Sequence, residues 1–283
     1  GICSLVPNED RLCFSVVFEM NDNAEILQHW VGRTVIHSNR RFNYEEAQKI
    51  MDAGKGDFVF ELNTLNQLAH KLREKREKKG SIGFGSVEVK FIFNDAGKPT
   101  GVYIKTLMDT NRLIEDFMLL ANMSVAEQIG RKKGSHLERA FVYRVHPSPK
   151  EEKIKEFSAF VHRFGFSFNA RTPQEIAKEM SRLIEKVAGT EFENLIENMA
   201  VRTMEKAYYT TNNIGHYGLA FDYYSHFTSP IRRYPDLMTH RLLEHYLKGG
   251  GTVVREKLED ACKHCSVMEK KAQQAEWDSI KYM

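Results

Sequence analysis

A chain of 283 residues with 42 % hydrophobic and 28 % charged side chains has ordinary globular composition and can bury a real core, which excludes wholesale disorder. The longest strictly apolar run, Phe117–Ala121, falls far short of the ~20 residues a membrane helix needs, and no charged start followed by an apolar stretch marks a secretory signal. Forty-one Lys and Arg against 38 Asp and Glu leave a net charge of +3, so a nucleic-acid partner requires positive residues concentrated locally.

Residues 11–18 and 30–37 are short, β-branched and aromatic, with Asn/Asp turn chemistry at 21–23; they predict two paired strands. Asn43 and Glu46 have the spacing of an N-cap with a returned bond, and Ala47, Ile50 and Met51 follow on one helical face. A second helix is predicted from about Phe58, with Leu62, Leu65, Leu68 and Leu72 inward. Its end, Lys71–Lys79, carries six basic and two acidic residues and is expected to be a solvated helix end. Strands return at Val87–Phe93 and Val102–Lys105 around the turn Asn94–Gly97.

The remainder is mostly helical. Thr110–Gly130 carries Leu113, Ile114, Phe117, Met118, Ala121 and Val125 at helical spacing. Thr172-Pro173-Gln174-Glu175 is a capping box with proline at the first helical position, and Thr190–Glu193 has the same spacing, with Gly189 closing the helix before it. From Val254 to Tyr282 a long helix is expected to bury Leu258, Cys262, Cys265, Met268, Ala272 and Ala275. The expected fold class is α+β: a mixed or antiparallel sheet packed with helices, strand-rich in its N-terminal part and helix-rich in its C-terminal part.

Four cysteines, Cys3, Cys13, Cys262 and Cys265, are too few for a disulfide framework and favour a reducing, cytoplasmic compartment. Cys262 and Cys265 sit on the apolar stripe of a helix without a second Cys/His pair at zinc spacing, so they are read as small buried residues. His240 and His245 are five apart, which separates them on a helix. There is no Gly-rich phosphate loop, dinucleotide fingerprint or nucleophile elbow.

The densest unusual stretch is Gly215–Arg241, GHYGLAFDYYSHFTSPIRRYPDLMTHR. Pro230 and Pro235 cannot both lie deep in one regular helix, so a fixed turn is expected at Thr228-Ser229-Pro230 and a helix from Arg232 to Pro235 onward. This places Arg232 and Arg233 beside free backbone N–H groups and the positive end of a helix dipole, a setting suited to a phosphate. Tyr223, Tyr224, His226, Phe227 and Tyr234 add the flat rings that grip single-stranded nucleic acid, although a rigid corner with core aromatics accounts for the composition equally well.

The run HYGLAFDYYSHFTSPIRRYPDLMTHRLL resembles the signature of the RNase II/RNase R (RNB-domain) family of exoribonucleases. So do ICSLVPNEDRLCFSV near the start, LIEDFMLLANMSVA at 113–126, YRVHPSPKEEKI at 143–154 and AEWDSIKYM at the end, in family order and closest to the bacterial ribonuclease R branch. The resemblance implies magnesium-dependent, processive 3′→5′ hydrolysis of single-stranded RNA to nucleoside 5′-monophosphates, by a monomer without membrane attachment. By the same resemblance Arg232 contacts the phosphate at the cleavage site, and Glu276 matches the catalytic-site glutamate. Phe84 stacks on terminal bases, while Tyr44 and Glu115, or Asp116 beside it, contact ribose hydroxyls. Thr228, Ser229, Arg233, Tyr234 and His226 belong to the RNA-binding signature. Trp277 stands where the family has arginine, and Gly83 and Gly85 where aspartates are common.

The family's metal-binding aspartates lie upstream of the motif at Gly1–Leu5. Residues 1–283 are therefore expected to be a partial RNB catalytic domain without that cluster and without cold-shock or OB-fold RNA-binding modules. Glu45–Glu46, Glu115–Asp116, Glu151–Glu152 and Glu259–Asp260 are isolated pairs rather than an aspartate-rich run. The fragment is accordingly expected to be inactive alone. A non-catalytic RNA-binding pseudo-enzyme and a purely structural or interaction domain are the competing expectations.

Overall fold

A computed structural model describes residues 3–83, 88–105, 107–131 and 139–282. It opens with an antiparallel hairpin, β1 (Asp10–Met20) and β2 (Ile26–His37), in the register Arg11↔Ile36 to Phe18↔His29. The Asn21 side chain closes the turn by accepting from the backbone N–H groups of Asn23 and Glu25, each at 3.0 Å. This is the turn chemistry expected of asparagine.

Helices α1 (Tyr44–Ala53) and α2 (Val59–Lys78) follow. The Asn43 side chain caps α1 by accepting from Glu46 N–H at 2.7 Å, but no bond returns, because the Glu46 carboxylate pairs with Arg40 instead. In α2 only Ala69 is fully buried, and Leu65 is 40 % exposed. The charged end of α2 is solvated only in part: Glu74, Lys75, Glu77, Lys78 and Lys79 are exposed, but the run also makes long-range contacts. Arg73 and Arg76 converge on Asp116, and Lys71 and Lys75 donate to the backbone carbonyls of Asp22 and Ala24 in the β1–β2 turn.

Strands β3 (Glu88–Phe93) and β4 (Pro99–Lys105) form the second hairpin. Helix α3 (Asp109–Gly130) then packs on α1 and α2. Its inward face is rotated from the expected one. Leu113 and Val125 are buried, but so are Asp116, Leu119, Leu120 and Asn122, whereas Ile114 and Met118 are 39 % and 41 % exposed. The two arginines of α2 draw the Asp116 face inward.

The short strands β5 (Tyr143–Val145) and β6 (Tyr208–Thr210) pair antiparallel, enclosing α4 (Glu151–His162), α5 (Pro173–Val187) and α6 (Glu193–Thr203) in sequence. The α5 capping box forms in both directions at 3.2 Å. At α6 the helix starts three residues later than Thr190: the Thr190 hydroxyl donates to Val187 O, and the Glu193 carboxylate reaches Gly189 N–H. Met180, Val187, Ile196 and Phe157 centre one core among α4–α6.

Helices α7 (Tyr234–Leu247) and α8 (Arg255–Tyr282) complete a second core with α3 and β5–β6, around Phe141, Val145, Leu243 and Cys262. Cys262 and Cys265 are buried free thiols, and burial pushes the Cys262 thiol up to about 12. Beyond Ser266, however, α8 is exposed, including Met268, Ala272 and Ala275. At 28 residues the helix is about 42 Å long, and it outruns the β6 and α7 surfaces against which its first turns pack. The observed class is α+β with small antiparallel strand pairs. Among the described residues no helix is long and apolar enough to cross a membrane.

Candidate nucleic-acid interface

The outer face of α3 floors two adjoining hollows that share Ile114. The first, about 690 Å³, is bounded by Phe42, Tyr44, Leu62 and Leu113. The second, about 850 Å³, runs between β1 and α3 to Thr228, Pro230 and Ile231. Together they form a furrow with Tyr44 at one end and the Thr228–Ile231 turn at the other. Tyr44 is held by α1, whose first carbonyl accepts from the Thr110 hydroxyl of α3 at 3.1 Å. Glu115 is exposed beside Ile114. Asp116 is 2 % exposed and fully engaged: Arg73 Nε and Nη2 donate to Oδ2 at 3.1 and 2.7 Å, and Arg76 Nη1 donates to Oδ1 at 3.0 Å. Of the two adjacent acids, only Glu115 is available to a ligand.

The far end of the furrow is a rigid turn. The Asn122 side-chain oxygen accepts from the N–H groups of Phe227 and Thr228 at 2.9 and 3.2 Å. Asp236, in the first turn of α7 and 0 % exposed, accepts from Ser229 N–H at 2.7 Å and from Arg233 Nη2 at 2.9 Å. The backbone N–H groups of Arg232 and Arg233 both donate to Ser229 O, at 3.3 and 3.1 Å. Those two N–H groups are thus not the free donors expected of a helix start. What remains for an anion is the Arg232 guanidinium, exposed and without a partner among the described residues. Tyr234, at the start of α7, is 58 % exposed and offers its ring to solvent.

His226 stands behind the turn. Its Nδ1 lies 2.8 Å from the Tyr209 hydroxyl, and the rings of Tyr209 and Tyr224 meet it edge-on. Burial, reinforced by the positive charge of Arg233, Arg144 and Arg232, depresses the imidazole to about 2, so the ring is neutral at any working pH. Burial likewise holds the Tyr209 hydroxyl well above the usual tyrosine range.

Glu276 lies on the exposed last part of α8. Among the described residues no hydrogen bond, ion pair or ring contact joins it to Arg232 or Tyr44; beside it, Lys206 lies 5.8 Å from the Trp277 ring centroid. Phe84 lies outside the described residues. Of the residues proposed from sequence, Tyr44 and Thr228 share the furrow, with Glu115 and Arg232 beside its lining. The sequence did not single out Asp236, Asn122 or Tyr209. Asp236 carried the only local signal, an acid three residues after Arg233 in a first helical turn.

Magnesium, implied by the resemblance, requires clustered oxygen ligands. Among the described residues no group of three or more His, Cys, Asp or Glu fits a metal ion. Each acidic pair has a member already committed: Glu46 to Arg40, Asp116 to Arg73 and Arg76, Glu151 to Lys155, and Glu259 to Thr210 and Thr211. The described residues therefore do not fit the ion by themselves.

A sequence profile of the RNB domain matches residues 1–249. The chain belongs to the RNB-domain family. Among curated RNB proteins it is 37 % identical to DIS3-like exonuclease 2 of Schizosaccharomyces pombe, over 98 % of this chain and 32 % of the relative. It is 36 % identical to ribonuclease R of Thermotoga maritima, over 99 % of this chain and 40 % of the relative. The chain thus spans about a third to two-fifths of these relatives. In fold it superposes with a TM-score of 0.88 on Mycoplasma genitalium RNase R in complex with ribose-methylated single-stranded RNA, covering 99 % of this chain and 45 % of that one at 24 % identity.

Proposed function

We propose that this RNB chain is part of the catalytic domain of a cytoplasmic, monomeric 3′→5′ exoribonuclease that hydrolyses single-stranded RNA processively to nucleoside 5′-monophosphates. The carrying observation is an exposed guanidinium, Arg232, unpaired among the described residues, on a rigid turn at the end of an apolar furrow that begins at Tyr44. Apolar walls and flat rings accept any base, which suits an enzyme that digests all sequences, at about 1–3 kcal/mol per stacked base.

In this reading Arg232 neutralises the phosphate at the cleavage site, where a fixed cation stabilises charge developing on the phosphoryl oxygens. Glu115 and Tyr44 bind ribose hydroxyls, the feature that separates RNA from DNA. Thr228 and Ser229 shape the turn, Arg233 braces it through Asp236, and Tyr234 offers a stacking face. Phe84 stacks on terminal bases and Glu276 serves the catalytic centre. Magnesium would need ligands other than the described residues, and held by them it would supply Lewis-acid polarisation of the phosphate.

Residues 1–283 supply the RNA-gripping part of such a domain and should release little or no nucleotide in magnesium. Nucleotide release from single-stranded RNA by the purified chain, abolished in Arg232→Ala, contradicts that expectation. A second reading is a non-catalytic RNA binder. Assaying the chain beside a form extended upstream separates the two: restored hydrolysis supports the enzyme, and unchanged binding without hydrolysis supports the binder.

A further inference from the structure

The second hollow of the furrow, the one that reaches Thr228 and Ile231, has His240 of α7 in its wall. Most of the other polar side chains lining it are engaged elsewhere or are weak hydrogen-bonding groups. Asp10 is engaged by His37, and Arg11 by Glu9 and the Ser4 carbonyl, while the Cys3 and Cys13 thiols bond weakly. Thr228 and His240 remain, at the end where the turn presents Arg232.

The His240 ring is held on three sides. It stacks on Phe227 with centroids 4.3 Å apart at 22°, and the Phe14 ring of β1 meets it edge-on at 5.3 Å. Its Nε2 lies 2.7 Å from the Phe227 carbonyl oxygen. A carbonyl only accepts, so Nε2 carries the ring proton and Nδ1 presents a bare lone pair. Burial holds the imidazole below the usual histidine range, against the upward pull of that carbonyl and of Asp236, so Nδ1 stays unprotonated near neutral pH. Among the described residues Nδ1 has no hydrogen-bond partner, yet it is not sealed in: the buried atoms left without a partner include His216 Nδ1 but not His240 Nδ1. The ring lines the second hollow, and there the lone pair is open to a ligand.

A free acceptor selects a donor. A phosphodiester oxygen carries no proton and gains nothing from it. Of the groups an RNA strand brings into the furrow, base-edge N–H groups and ribose 2′-hydroxyls can donate, and the hydroxyl alone is the same at every nucleotide. We propose that His240 Nδ1 accepts a hydrogen bond from the 2′-hydroxyl of a nucleotide in the second hollow, so that His240 reads the sugar at the Arg232 end of the furrow. The proposal rests on the RNA reading of the furrow. It gives this end a ribose contact of its own, apart from Tyr44 and Glu115. Because Phe14, Phe227 and the carbonyl already hold the ring, accepting the bond orders nothing further on the protein side.

The test is a cycle of anisotropy titrations on the unsubstituted chain and His240→Phe. The probes are fluorescein-labelled oligouridylate, the same strand with a single 2′-deoxy sugar moved along its length, and the all-deoxy strand. The unsubstituted chain should lose roughly two- to tenfold in affinity when the deoxy sugar reaches one particular position, the worth of one hydrogen bond. His240→Phe, which keeps a flat ring between Phe14 and Phe227, should bind the all-ribose strand more weakly by a similar factor. It should lose nothing more from the deoxy sugar at that position, and should bind the all-deoxy strand as the unsubstituted chain does. Histidine ¹⁵N NMR on the unsubstituted chain keeps the test independent of any variant's folding: His240 should be the Nε2–H tautomer, and its Nδ1 resonance should move with saturating all-ribose strand but not with saturating all-deoxy strand. An Nδ1–H tautomer, an Nδ1 resonance indifferent to the sugar, or a His240→Phe loss equal on ribose and deoxy strands overturns the proposal while leaving RNA binding in place. So does a loss that follows the base, oligoadenylate against oligouridylate, rather than the sugar. No saturable binding of oligouridylate by the unsubstituted chain overturns the RNA reading itself, and the sugar contact with it.

Discussion

Arg73 and Asp116, 43 residues apart in sequence, meet at 2.7 Å where the Asp116 side chain is 1 % exposed, with Arg76 closing on its other oxygen at 3.0 Å. One carboxylate thus ties α2 to α3 and sets which face of α3 is buried and which is left to the furrow. Removing it strands two nearly buried guanidinium groups. Asp116→Ala should cost about 3–5 kcal/mol in urea unfolding, the range for breaking one side of a buried ion pair. Glu115→Gln, one residue away on the exposed face, should leave the urea midpoint unchanged and weaken single-stranded RNA binding. The reverse pattern would assign the ribose contact to Asp116.

The turn that presents Arg232 depends on Asp236. Asp236→Asn keeps the shape but removes the charge that pairs with Arg233, so about 3–5 kcal/mol of stability should be lost and RNA affinity should fall with it. Arg232→Ala should leave stability within about 0.5 kcal/mol, as befits an exposed side chain without a partner among the described residues. Thermal unfolding of the two variants side by side checks the contrast.

These two hubs show what was legible in the sequence. The Asn21 turn, the Asn43 cap and the α5 capping box were readable because each is satisfied within four residues. The buried face of α3 was not, since its apolar periodicity fits two stripes and a long-range ion pair chooses between them. The basic end of α2 is solvated at Lys78 and Lys79, as its charge run indicated, but the distant partners of Lys71, Arg73, Lys75 and Arg76, which are Asp116 and two carbonyls of the β1–β2 turn, were not legible for the same reason. The Thr228-Ser229-Pro230 turn was legible from its prolines, but its locks, Asn122 and Asp236, were not. The exposed tail of α8 defeated the stripe reading because small and apolar residues continue past the surface they pack on.

Stability should fall as pH drops through the histidine range. Burial depresses His216 to about 3 and His226 to about 2, and lowers His146 and His240. Each group takes up a proton in the unfolded chain near pH 6.5 but not in the folded one, so the unfolded state binds more protons below that value. The stabilisation is complete above about pH 6.5 and erodes on acidification, before the carboxylates titrate. Urea midpoints measured at about pH 7.5 and 5 should be clearly lower at the acid end, with the difference reduced in His226→Gln. A flat profile across that interval contradicts the assignment of these rings as neutral in the fold.

Anisotropy titration of labelled single-stranded RNA at several salt concentrations, comparing the unsubstituted chain with Arg232→Ala and Lys78→Ala, probes the furrow most directly. Lys78 sits on the exposed end of α2 beside Glu74 and serves as the surface-charge control. Saturable binding that weakens with salt, about 10- to 100-fold poorer in Arg232→Ala with a salt slope shallower by about one, and nearly unchanged in Lys78→Ala, is the predicted result. Equal losses in the two variants, or no saturable binding by the unsubstituted chain, would contradict it.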